Sequence, residues 1–119
     1  ADLLLIEGAG GWRVPLNPRE TYARVPGILG AKVILVVPLQ LGCINHAMLS
    51  AEAILSDGLS LAGWVANHPR PEAMPCEEDT LGYLLNHLPA PCLGVLPWQD
   101  NPQPAELADH LDVSVLFEN

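Results

Sequence analysis

The chain has 119 residues, the length of one domain, and a formal net charge of -9 from 14 acidic and 5 basic residues. Its bases, Arg13, Arg19, Arg24, Lys32 and Arg70, form no stripe, which argues against DNA, RNA and anionic membranes as partners, since those need clustered Lys and Arg. No apolar run approaches the roughly 20 residues that span a bilayer, and the first residues lack a signal-peptide layout, so a cytoplasmic location is the default expectation.

In chain order, residues 3–6 (LLLI) come first. Four aliphatics without alternation predict a strand covered on both faces of a parallel sheet. Glu7 would then leave that strand, followed by Gly8, Ala9, Gly10 and Gly11. Residues 19–30 are partly helical in pattern, interrupted by Pro26, Gly27 and Gly30. Residues 33–37 (VILVV) predict a second strand. Within 42–58, Ile44, Ala47, Met48, Ala51, Ile54 and Leu55 fall at helical spacing and Gly58 can close the helix. Residues 61–66 (LAGWVA) predict a third strand, and the following loop holds Pro69, Pro71 and Pro75. Residues 77–88 predict a helix with three acids in its first turn, where the macrodipole favours them. Residues 92–96 (CLGVL) predict a fourth strand, and 104–111 a last helix with Pro104 at its start.

Strand and helix in alternation imply an α/β fold, an open parallel sheet with helices on both faces, in a single domain over residues 1–119. Four doubly covered parallel strands are few, and the sequence is in a strand by Leu3, so it is expected to be the C-terminal portion of a longer protein.

Open α/β sheets bind ligands outside the carboxyl ends of their strands, and here every predicted strand ends in polar or glycine-rich sequence. EGAGG is not the dinucleotide fingerprint, because Arg13 stands where the last glycine would be needed. Glu7 with its glycines suits Mg²⁺ beside a nucleotide triphosphate, or it is an exposed acid in a turn. Gly42, Cys43 and Asn45 open the best helix, so their backbone N–H groups either meet an anion or are simply capped. Asn67 ends the third strand with both a donor and an acceptor, the equipment to read a purine edge, or it is a turn residue. Trp64 reads as core. Trp98, after Pro97, either stacks on a ligand or packs over its loop. Three widely spaced cysteines and four histidines without H-x-x-x-H spacing indicate neither a disulfide framework nor a zinc site.

EGAGGWRVPL, LGCINHAMLSAEAI, LAGWVAN and LGVLPW, in this order and spacing, closely resemble the C-terminal half of the dethiobiotin synthetase family, over residues 2 to about 105. The resemblance implies a P-loop NTPase-like fold whose N-terminal P-loop part is absent from this sequence, a homodimer, and an ATP-dependent ligase. Its reaction would be the carboxylation and ring closure of 7,8-diaminononanoate with CO2 to dethiobiotin, in biotin biosynthesis. It further implies that Glu7 binds Mg²⁺ near the γ-phosphate, with Gly8, Ala9 and Gly10 lining the same place. Asn67, His68, Pro97, Trp98 and Gln99 would hold the adenine of ATP. Gly42, Cys43 and Asn45 would grip the carboxylate of a substrate bound mainly to the other subunit. Gln103 stands where an acidic ribose contact is expected, which weakens that one assignment. No catalytic residue of the family falls in this segment. Two rivals are a cobyrinate-type amide synthase fragment and a non-catalytic dimerisation or nucleotide-binding module.

Phosphoryl transfer is mostly positioning and charge stabilisation of the phosphates, work done by a G-x-x-x-x-G-K-T loop that these residues do not contain. The purified 119-residue chain is therefore expected to form no dethiobiotin from diaminononanoate, CO2 and MgATP. Product above the no-enzyme control would contradict this.

Overall fold

The computed structural model describes residues 2–118; Ala1 and Asn119, the ends of the expected 1–119 domain, lie outside the described residues. A short hairpin of β1 (Pro15–Asn17) and β2 (Glu20–Thr21) is followed by α1 (Arg24–Leu29). Then come β3 (Val33–Pro38), α2 (Cys43–Ser56), β4 (Leu61–Asn67), α3 (Glu77–His87), β5 (Cys92–Leu96) and α4 (Pro104–Ala108), with a 3-10 turn at Ser114–Phe117. β3, β4 and β5 form one parallel sheet in that order. Successive strands can run parallel because a helix carries the chain back between them.

The register puts Leu35, Trp64 and Cys92 in one row and Val37, Ala66 and Val95 in another. These rows meet the apolar stripe of α2, where Cys43, Ala47, Ala51 and Ile54 are buried, and Leu84 of α3. The small alanines let α2 lie close to the sheet. Trp64 is fully buried and its indole N–H donates to the Ala90 carbonyl at 3.1 Å, so its one polar atom is satisfied. On the other face Leu93 occupies the space above Gly63, where a Cβ would come within 2.8 Å of its side chain.

The outer edge of β5 is covered by the chain's own end. Leu111 makes an antiparallel bridge to Gly94, and the Asp112 N–H donates to the Leu93 carbonyl at 2.8 Å. Gly94 permits this close approach: its φ is +155° and a Cβ there would collide with the His110 carbonyl. The same pairing shortens the helix predicted over 104–111, which stops at Ala108 because Leu111 and Asp112 are drawn into extended backbone.

The first predicted strand does not form. Residues 3–6 have no strand structure, and Leu4 and Leu5 are more than 70% exposed. A parallel strand is stabilised by its ladder partner and by cover on both faces, and residues 3–6 have neither. Ile34 and Val36 on β3 are likewise exposed. The sheet therefore has three strands rather than four, and Glu7 does not sit at a strand end.

The hairpin after the glycines was not predicted. Asn17 makes its turn: the side-chain oxygen accepts from the Arg19 N–H at 2.9 Å and the Glu20 N–H at 3.1 Å, the Asx geometry an Asn-Pro pair favours. Ahead of it, Trp12 and Arg13 anchor the segment to the end of α2. The Trp12 indole donates to Asp57 at 2.8 Å and Arg13 pairs with both Asp57 oxygens at 2.7 and 3.1 Å.

The Asp57 carboxyl is held below its ordinary value, first by the hydrogen bond from Arg13 and then by that from Trp12. A depressed carboxylate contributes stability above its unfolded value and loses it as pH falls through the folded one. The anchor is therefore expected to hold at neutral pH and to release only in acid, below the free carboxylate range near 3.8. In an NMR pH titration the Trp12 indole N–H signal should move in that acid range and should lose this step in Asp57→Asn. A Trp12 signal that titrates identically in the variant would refute the anchor.

Candidate functional site

The parallel register brings Pro38, Asn67 and Leu96 side by side at the carboxyl edge of the sheet. Two hydrogen bonds extend the ladder beyond the strands, Leu39 N–H to the Asn67 carbonyl at 2.8 Å and His68 N–H to the Leu96 carbonyl at 3.0 Å. The three strand ends are thus fixed relative to one another by backbone, and the chains leaving them share one edge.

Asn67 is half-buried, and its carboxamide has no hydrogen-bond partner among the described residues. His68 is different. Its Nδ1 lies 2.8 Å from the Leu96 carbonyl oxygen and its Nε2 2.8 Å from Glu77 Oε1, so both ring nitrogens are engaged. From Leu96 the chain runs directly into Pro97, Trp98 and Gln99. Trp98 is 41% exposed and donates to Asp100 at 3.2 Å. Gln99 accepts from the Gln103 N–H at 2.9 Å and donates to Glu106 at 3.1 Å, tying the loop to the start of α4. The structure therefore brings Asn67, His68, Pro97, Trp98, Gln99 and Gln103 to adjoining segments. The Gln99 and Gln103 amides are already partly used in shaping their loop.

At the neighbouring strand end, Gly42 enters α2 with φ +92°, a left-handed geometry that glycine adopts without strain. The Cys43 N–H is bonded to Gln40, and the helix has no side-chain N-cap and no acid in its first turn. The next N–H groups, of Ile44 and Asn45, are the orphans of the helix start. The Cys43 thiol is buried in the core, so this residue offers the edge only backbone. Beside this helix start lies a cleft of about 360 Å³ between Gln40 and Leu41 on one wall and Arg70, Glu72 and Met74 on the other. Arg70, the one arginine of the 68–76 loop, carries no local sequence signal of a site, because only the fold turns that loop toward α2.

Glu7, Gly8, Ala9 and Gly10 are not part of this gathering. The Tyr22 hydroxyl donates to the Glu7 carbonyl at 3.3 Å, and a Cβ on Gly8 would touch the Tyr22 ring at 3.0 Å. Tyr22 is in turn bound through its N–H to Val14, beside the anchor on Asp57. These contacts lead to the far end of α2, not to the strand ends. Gly10 and Gly11, with φ of +88° and +98°, shape the turn into Trp12. Among the described residues no group of three or more His, Cys, Asp or Glu side chains is placed to hold a metal ion. A single exposed carboxylate does not make a Mg²⁺ site by itself, although Mg²⁺ commonly takes only one or two protein carboxylates and completes its shell with water and phosphate.

A family model described as an AAA domain matches residues 1–106. The chain is 69% identical, over 123 aligned positions, to an ATP-dependent dethiobiotin synthetase of Marinobacter nauticus, covering 100% of this chain and 53% of the relative. It is 56% identical over 116 positions to the enzyme of that name from Pseudomonas aeruginosa, covering 98% and 50%. It is 43% identical over 116 positions to one from Yersinia pestis, covering 98% and 52%. The chain spans about half the length of these curated relatives.

Proposed function

From the premise that the chain belongs to the AAA domain family of P-loop NTPases, where its matches are dethiobiotin synthetases, we propose that it supplies the base-binding edge of such an enzyme. The reaction is ATP-dependent ring closure of 7,8-diaminononanoate with CO2, through a carbamate that ATP phosphorylates before the second amine displaces phosphate. The observation that carries this reading is the register that sets Asn67 beside Leu96, directly before Pro97 and Trp98. An unpartnered carboxamide next to an apolar, aromatic wall matches adenine, which presents a donor and an acceptor on one edge and a flat face. The 69% identity to a synthetase supports this reading over a cobyrinate-type amide synthase.

In this reading Asn67 orients the base, His68 and Gln99 hold the strand ends and loop that flank it, and Pro97 and Trp98 exclude water from one face. The open N–H groups at the start of α2 bind the carboxylate of diaminononanoate, an anion suited to the positive end of a helix dipole. That substrate would belong mainly to the other subunit of a homodimer in the cytoplasm. Mg²⁺ neutralises phosphate charge when bound. Glu7 is its candidate ligand among the described residues, where the Tyr22 hydroxyl is bonded to the Glu7 backbone carbonyl and not to its carboxylate.

Asn67→Asp replaces the amide donor by a charge that only accepts. A well-placed bidentate amide contact to a base discriminates by about 1–3 kcal/mol. In the intact protein the variant is expected to bind ATP about tenfold more weakly and to lose preference for ATP over GTP. An unchanged ATP-to-GTP ratio would remove Asn67 from the base site.

A further inference from the structure

We infer that Glu77 is a positioning residue for the nucleotide edge, acting through the ring of His68 to lock the ends of β4 and β5 against each other. The inference rests on the base-site reading above. His68 is the first residue beyond β4, and Leu96 is the last of β5. The backbone N–H of His68 and its Nδ1 both reach the single carbonyl oxygen of Leu96, at 3.0 and 2.8 Å. A carbonyl has two lone pairs, so both contacts can be hydrogen bonds at once.

The ring is then completed from the far side by Glu77, the first residue of α3, at 2.8 Å. Its two partners, a carbonyl and a carboxylate, both accept. An acceptor oxygen thus stands against each ring nitrogen, and the imidazole is bracketed between the sheet edge and the start of α3. Both side chains are only 22% exposed, so water screens the pair less than at an open surface.

A second feature marks the same spot. Cys76, directly before Glu77, holds φ +58°, the one left-handed non-glycine residue among those described. Such a conformation persists where its surroundings hold it, and the Glu77 contact ties that residue's neighbour to the sheet edge. One side chain therefore links three segments: the end of β4 that carries Asn67, the end of β5 that leads into Pro97 and Trp98, and the start of α3. Removing it leaves β4 and β5 paired along their backbones but frees the His68 ring and the start of α3 beside Asn67, and binding then has to restore an order the protein had already fixed.

The test is calorimetric binding of MgATP, MgGTP and inorganic tripolyphosphate to the intact protein, for wild type, Glu77→Ala, Glu77→Gln and His68→Phe, with Asn67→Asp as control. Expected is a five- to tenfold rise in ATP Kd for Glu77→Ala and for His68→Phe, with no change for tripolyphosphate. Glu77→Gln, which keeps an acceptor oxygen, should return to within about threefold of wild type. ATP affinities within twofold of wild type in both Glu77→Ala and His68→Phe would overturn the inference. Failure of both variants to fold would also overturn it, assigning the pair to the core instead. A control Asn67→Asp with unaltered ATP-to-GTP preference would show instead that the base-site reading has failed.

Discussion

A strand paired on both sides in parallel register has no freedom to slide, and β4 is such a strand, with β3 and β5 hydrogen-bonded along its two edges. A slip by one residue would turn its side chains to the opposite face. Trp64 would then leave the core, and its indole would lose the Ala90 carbonyl. That penalty fixes where β4 ends, and the end of β4 places Asn67 next to Leu96. The polar edge is a consequence of the packing beneath it, since Trp64 and Ala66 of β4 belong to one core cluster with α2 and α3.

The same dependence explains which elements could be read from sequence. β3, α2, β4, α3 and β5 each announce themselves locally, by runs of β-branched and aliphatic residues or by Ala47, Ala51 and Ile54 on one helical face. Residues 3–6 carry an equally clear strand pattern, and it misleads, because a pattern encodes capacity to pair and not the presence of a neighbour. The last helix fails for a related reason: Pro104 starts it as expected, but its end is decided by Leu111 pairing with Gly94, seventeen positions away in sequence. The hairpin at Asn17 is signalled locally only by its Asn-Pro turn, a weaker cue than the apolar runs on either side of it.

At the site, backbone placement was legible and side-chain coupling was not. Knowing that parallel strands end together is enough to group Asn67 with Pro97 and Trp98, and α2 with its open start. Nothing local distinguishes Glu77 from Glu78 and Asp79, since all three suit the positive end of a helix equally well. Only the folded loop with its three prolines selects Glu77 as the partner of His68. Glu7 shows the reverse case. Its glycine-rich surroundings suggest a ligand site, whereas Gly10 and Gly11 are accounted for by their left-handed turn and Gly8 by its contact with Tyr22.

The central claim is that the base of a nucleotide lies between the ends of β4 and β5. Photolabelling the intact protein with 8-azido-ATP, followed by peptide mapping, tests it most directly. The account predicts label on the peptides containing 67–68 and 97–103, protected by excess ATP. Label confined to the cleft between Gln40 and Arg70 would contradict it.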